Sequence, residues 1–120
     1  MNYLLVALGS ALGGVARYGI GLLAARSPGA FPVGTLIVNV AGSFLIGLLA
    51  ATLGDASERS RLLLMTGFCG GFTTFSAFSL ENIEMMERGA VGMGVMLTVA
   101  HLVGAVGACW IGYRVGTTLS

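Results

Sequence analysis

The chain has 120 residues, of which 56% are hydrophobic and only 9% are charged. Soluble domains carry about 25% charged residues, so this composition indicates an integral membrane protein. The formal net charge of +1 gives no case for nucleic acid as a partner.

Four apolar segments approach the length of about 20 residues that a helix needs to cross a bilayer. We predict transmembrane helices over residues 3–25, 33–54, 61–87 and 90–113. Their connections are short, so residues 1–120 are expected to form a single all-α transmembrane domain with no soluble part.

The arginines of the connecting segments give almost no orientation signal. Arg59, Arg61 and Arg114 lie on the side of the membrane that holds both termini, and Arg26 and Arg88 lie on the opposite side. Orientation follows the balance of Lys and Arg between the two sides. A difference of one arginine between the two sides favours neither orientation. It also suits a protein whose copies insert into the membrane in both orientations.

The first span contains one charge, Arg17, within the stretch Gly13–Tyr18. A charge inside a span costs at least about 2.5–3.5 kcal/mol on insertion scales. Arg17 can reduce this cost by extending its side chain to the interface. Alternatively, it faces an aqueous vestibule, where it attracts anions or pairs with a carboxylate.

The second span carries three polar residues on one face, because Thr35, Asn39 and Ser43 are spaced at i, i+4 and i+8. Hydrogen bonds to a neighbouring helix are the default interpretation for Thr35 and Ser43. Asn39 is more informative, since its amide offers two N–H donors near mid-span without a charge.

The third span is weakest as a helix at its centre. Glycines and hydroxyl side chains are concentrated in Gly67–Ser79, and residue 74 is the midpoint of 61–87. A break at this depth is tolerated only inside protein or beside a water-filled cavity, where freed carbonyls often hold an ion. The alternative is an unbroken helix that packs closely on a neighbour through Gly67 and Gly71.

Phe75 and Phe78 share a face of the third span, and Glu81 continues it about 10 Å beyond the midpoint. The edges of aromatic rings are electropositive, so the two rings can line the path of an anion or simply pack in the core. In the fourth span, Thr98 and His101 share a face, and His101 is expected to hydrogen-bond a neighbouring helix.

The chain contains no sequence motif of an enzyme. A phosphate-binding loop, a nucleophile elbow and an HExxH motif are all missing, and no carboxylate lies near the middle of a span. These absences argue against an ATP-driven pump and weaken the case for a proton-coupled antiporter.

Three stretches together resemble the Fluc (CrcB) family of fluoride channels: Gly13–Tyr18 (GGVARY), Gly34–Ser43 (GTLIVNVAGS) and Gly67–Glu81 (GFCGGFTTFSAFSLE). The resemblance covers essentially the whole chain. It implies four transmembrane helices with a break in the third, assembled as an antiparallel, dual-topology homodimer. It also implies passive export of fluoride across the cell membrane.

By this resemblance, Asn39 is the pore asparagine, and Phe75 and Phe78 are the aromatic pair along the fluoride path. The backbone carbonyls of Gly70 and Thr73, from both subunits, are expected to hold a structural Na⁺ at the dimer centre.

Three further residues, Thr35, Ser79 and Glu81, match polar positions along or beside the pathway of the family. The chain departs from the family at Ala77, where many members carry Ser or Thr, and near His101, where a small hydroxyl residue is common. We expect Arg17 to attract anions at a vestibule.

Two other functions remain open at this stage. A dual-topology small multidrug exporter is also a four-span dimer, but it needs a membrane carboxylate in the first span, and this chain has none there. A non-transporting membrane scaffold would explain the glycines but would leave Asn39 and the aromatic face without a common purpose.

Overall fold

The computed structural model describes residues 1–25, 30–55 and 57–120, and these residues fold into helices joined by short connections. Arg26, which enters the charge comparison, lies outside the described residues. The helices, in chain order, are α1 (Asn2–Leu23), α2 (Val33–Leu53), α3 (Glu58–Ser60), a π-helix (Arg61–Cys69), α4 (Gly70–Phe72), α5 (Phe75–Glu87) and α6 (Val91–Leu119).

The prediction of four helices long and apolar enough to cross a membrane is confirmed. The four are α1, α2, α6 and the stretch Glu58–Glu87, which contains α3, the π-helix, α4 and α5 and is called the third span below. The last helix continues past residue 113 and ends at Leu119. The described residues thus form an all-helical, multi-pass membrane fold.

Close backbone packing holds α1 against the third span. A Cβ atom added at Gly9 would overlap the carbonyl oxygen of Leu63, and one added at Gly13 would overlap the carbonyl oxygen of Phe68. Small residues permit such close approach between membrane helices. The π-helix, with its rare i→i+5 hydrogen bonding, lies in this contact. Nothing local in the sequence of Arg61–Cys69 indicates it.

The helices α2 and α6 form a second close pair. A Cβ atom at Gly47 would overlap the carbonyl oxygen of Cys109, and one at Gly112 would overlap the carbonyl oxygen of Phe44. Glycine is therefore required on both sides of this contact. The fold consists of two tightly packed pairs, α1 with the third span and α2 with α6.

We expect Gly13→Ala to lower the thermal unfolding midpoint of the purified protein. The new methyl group would press on the carbonyl of Phe68, and overpacking typically costs about 1–3 kcal/mol. The adjacent Gly14→Ala is the matched control, because a Cβ atom there meets nothing within 4 Å. The two melting curves in the same detergent check this, and equal midpoints for the two variants would contradict the packing described here.

Candidate functional site

Two residues of the third span, Thr73 and Thr74, have extended backbones between α4 and α5. Their φ/ψ angles are −84°/157° and −151°/109°. The hydroxyl and the N–H of Thr73 both donate to the carbonyl of Cys69, at 2.9 and 3.0 Å. The hydroxyl of Thr74 accepts the N–H of Ala77 at 3.1 Å and so caps the start of α5. Threonine side chains therefore satisfy the backbone groups on both sides of this extended pair.

Asn39 of α2 hydrogen-bonds both backbone groups of Thr74. Its Oδ1 accepts the Thr74 N–H at 2.8 Å, and its Nδ2 donates to the Thr74 carbonyl at 3.1 Å. The side chain is buried, with 8% of its surface exposed. Its second N–H has no acceptor within residues 1–25, 30–55 and 57–120, so one donor is left for a ligand.

These contacts release two carbonyls from their helical partners. In a continuous α-helix, the Gly70 carbonyl would accept the Thr74 N–H, and the Thr73 carbonyl would accept the Ala77 N–H. Here the Thr74 N–H donates to Asn39 instead, and the Ala77 N–H donates to the Thr74 hydroxyl. Within the described residues, no other hydrogen bond to the carbonyl oxygens of Gly70 and Thr73 is found, so both can coordinate another group.

Arg17 of α1 contacts the same region of the third span. Its Nε donates to the carbonyl of Gly71 at 3.1 Å. A continuous helix would supply that carbonyl with the Phe75 N–H, so the guanidinium replaces a backbone donor beside the extended pair. From the sequence, Arg17 is expected at the interface, in a vestibule or paired with a carboxylate. The structure adds a contact with a backbone carbonyl, which none of these interpretations includes.

The other predicted polar residues make bonds of different kinds. The hydroxyl of Thr35 donates to Oε1 of Glu81, which joins α2 to α5. The hydroxyl of Ser79 donates to the carbonyl of Phe75 at 3.0 Å, within its own helix. The polar stripe of α2 therefore reaches the third span through both Thr35 and Asn39.

Three rings follow one another next to the extended pair. Phe75 and Phe78 meet edge to face with centroids 5.4 Å apart, and Phe78 lies 4.4 Å from the ring of His101. Nδ1 of His101 is 3.1 Å from the carbonyl of Leu97 in its own helix, in place of the predicted bond to a neighbouring helix. Nε2 of His101 is buried and has no partner in the described part of the chain.

Thr74 lines two cavities. The larger cavity measures about 600 Å³, and its lining includes Asn39, Gly70, Thr73, Phe75, Phe78 and His101. The smaller cavity measures about 540 Å³, and its lining includes Gly14, Arg17, Tyr18, Thr35 and Ala77.

The predicted site residues therefore divide into groups. Asn39, the two phenylalanines and the residues of the two released carbonyls line the larger cavity, whereas Arg17 and Thr35 line the smaller one. Ser79 and Glu81 line neither cavity. Sequence reasoning did not find His101 beside the ring of Phe78, since that contact joins two helices and leaves no local signal.

The fold and the site define a multi-pass membrane protein in which an uncharged hydrogen-bond donor and the residues of two released carbonyls line one cavity between the helices. The family described as CrcB-like protein, Camphor Resistance (CrcB), matches residues 4–113. The chain belongs to this family, and the resemblance seen in its motifs is confirmed.

Two relatives show how far the similarity extends. The chain is 46% identical over 123 residues to the fluoride-specific ion channel FluC of Agrobacterium fabrum, with 99% of this chain and 98% of the relative covered. It is 48% identical over 121 residues to the FluC protein of Thermus thermophilus, with 98% and 97% covered. The similarity thus spans both chains almost completely.

Proposed function

We propose that this protein is a fluoride-selective channel, not an enzyme, that passively exports fluoride across the cell membrane and so protects against fluoride toxicity. The names of its relatives support this function. The observation that carries the proposal is the Asn39 amide, which is fixed by the Thr74 backbone and keeps one uncharged N–H for a ligand. The family membership argues against the multidrug exporter.

The chemistry of the larger cavity suits a small, strongly hydrated anion. A pore must replace the water around fluoride with donors, and the Asn39 N–H and the edges of Phe75 and Phe78 supply them. A full positive charge at the narrowest point would bind the ion too tightly to release it. Arg17 donates to the Gly71 carbonyl and lines the smaller cavity, so it would mainly hold the backbone beside the extended pair, and attraction of anions by its charge would be secondary.

The released carbonyls fit a sodium ion. Na⁺ is a hard cation that oxygen ligands suit, and the carbonyls of Gly70 and Thr73 have lost the N–H groups that a continuous helix would give them. In an antiparallel pair of chains, the two-fold axis lies in the membrane plane, and the extended pairs of both copies would meet at mid-membrane. When bound, Na⁺ would be coordinated by these carbonyl oxygens from both copies, offset their mutual repulsion and so hold the two copies together.

The exposed surface also supports a homodimer. Phe75 is 79% exposed although it lies in the middle of the third span, and the larger cavity opens beside it. Four packed helices leave no room for an aqueous channel of their own, so a pore needs a second copy to close it. We propose that Thr73 and Thr74 form the break of the third transmembrane helix at this interface. The weak orientation signal of the arginines suits a dual-topology pair.

Ion efflux from liposomes tests the channel function directly. We expect liposomes that contain the purified protein and are loaded with potassium fluoride to lose fluoride rapidly once a potassium ionophore is added. Liposomes loaded with potassium chloride should keep their chloride, and protein-free liposomes report the background leak. Fluoride retained by liposomes that contain folded, dimeric protein would overturn the proposal.

A further inference from the structure

We propose that Asn39 builds the sodium site as well as serving the fluoride path: by capturing the Thr74 N–H, it releases the Gly70 carbonyl and aims the Thr73 carbonyl at the cation. This inference rests on the sodium ion of the proposed function. It assigns Asn39 the role of a positioning residue for a group that it does not touch.

The Gly70 carbonyl is the first proposed sodium ligand that Asn39 affects. Without the Asn39 side chain, the N–H nearest to this carbonyl along a helical path belongs to Thr74. That N–H instead meets Oδ1 of Asn39 at 2.8 Å, a bond between residues 35 positions apart in the chain. The Gly70 carbonyl, which the Thr74 N–H would otherwise occupy, is thereby kept available to coordinate sodium.

The second proposed ligand is the Thr73 carbonyl, which belongs to the same peptide unit as the Thr74 N–H. A peptide unit is planar, and in the trans form its C=O and N–H point in opposite directions. The chain contains no cis peptide in its described part. The bond that draws the Thr74 N–H toward Asn39 therefore points the Thr73 carbonyl away from Asn39. The Asn39 bond thus releases one proposed ligand and orients the other, whose helical donor, the Ala77 N–H, is taken by the Thr74 hydroxyl.

The Asn39 amide connects the proposed fluoride and sodium sites. The Asn39 amide uses Oδ1 and one N–H on Thr74, and its remaining N–H is the donor proposed for fluoride. Sodium binding would favour the arrangement in which Thr74 is held by Asn39, which is also the arrangement that orients this donor. Coupling between two sites is reciprocal, so the orientation of Asn39 and the affinity for sodium are expected to change together.

Sodium-dependent thermal unfolding of the purified protein tests this role without measuring transport. We would titrate NaCl into protein held in N-methylglucamine chloride at constant ionic strength and record the unfolding midpoint. In Asn39→Ala, the Thr74 N–H can return to the Gly70 carbonyl, and the sodium concentration for half-maximal stabilisation is expected to rise at least about tenfold, which corresponds to 1.4 kcal/mol. Asn39→Asp retains an acceptor for that N–H and should keep the wild-type sodium response.

Ser43→Ala is the matched control, since Ser43 lies one turn further along α2 and lines the same cavity. It should leave the sodium response unchanged. A wild-type protein that sodium does not stabilise would overturn the sodium site itself. If sodium stabilises Asn39→Ala at the same concentrations as the wild type, only the role of Asn39 would be overturned. If Asn39→Ala does not fold, a tenfold weaker response in Asn39→Asp would still contradict the inference.

Discussion

Asn39→Asp is expected to slow selective fluoride efflux strongly while leaving the protein folded. An ionised carboxylate has no donor, and a protonated one has a single O–H, which the Thr74 carbonyl would take in place of Nδ2. In either state, the donor proposed for fluoride is lost. A hydrogen bond to a charged group is worth about 1.5–3 kcal/mol, so the efflux rate should fall by about 10- to 100-fold.

The measurement is the initial rate of fluoride loss from liposomes at equal protein density for wild type and variant. Thr52→Ala is a suitable control, because its hydroxyl donates only to the Leu48 carbonyl of its own helix, away from both cavities. Its rate should match that of the wild type. Undiminished fluoride efflux in Asn39→Asp would show that no donor on Asn39 is needed for permeation.

Arg17→Gln is expected to reduce both fluoride efflux and the thermal unfolding midpoint. The guanidinium satisfies the Gly71 carbonyl at 3.1 Å, and a partly buried carbonyl that loses a charged donor costs about 1–3 kcal/mol. Arg17→Lys keeps the charge but offers only the end of a flexible chain in place of a planar guanidinium. We therefore expect the lysine variant to recover little of either property.

Two readouts separate this positioning role from simple attraction of anions. If Arg17 acts mainly by concentrating fluoride at the smaller cavity, Arg17→Lys should transport like the wild type. Added salt should then slow the wild type and Arg17→Lys equally. If its bond to Gly71 dominates, both variants should be slow and less stable, with little dependence of the rate on salt. We expect the second result. Efflux at low and high ionic strength, together with melting curves, provides the comparison.

The helices were predictable because hydropathy is a property of consecutive residues. Four apolar stretches specify four spans wherever their neighbours lie. The grouping of Asn39 with Phe75 and Phe78 around one cavity also agrees with the polar and aromatic faces seen in the sequence. Their roles in fluoride passage remain predictions.

The contacts between spans were beyond sequence reasoning. The partner of Asn39 is 35 positions away and is a backbone group, which carries no side-chain identity to recognise. Arg17 likewise reaches a backbone carbonyl, 54 positions away. The π-helix over Arg61–Cys69 lies where α1 approaches the third span closely, and that approach is visible only in the packed structure.

The bonds at Thr74 and Gly71 also bear on the order in which the chain enters the membrane. Their partners, Asn39 and Arg17, belong to spans that leave the ribosome before the third span does. A bare, interrupted helix in hydrocarbon would expose polar backbone at a cost of several kcal/mol per group. Because α1 and α2 are synthesised first, the side chains of Asn39 and Arg17 are available to bind the backbone of the third span when that span is inserted. The order of the helices along the chain thus means that both partners are synthesised before the segment whose backbone they bind.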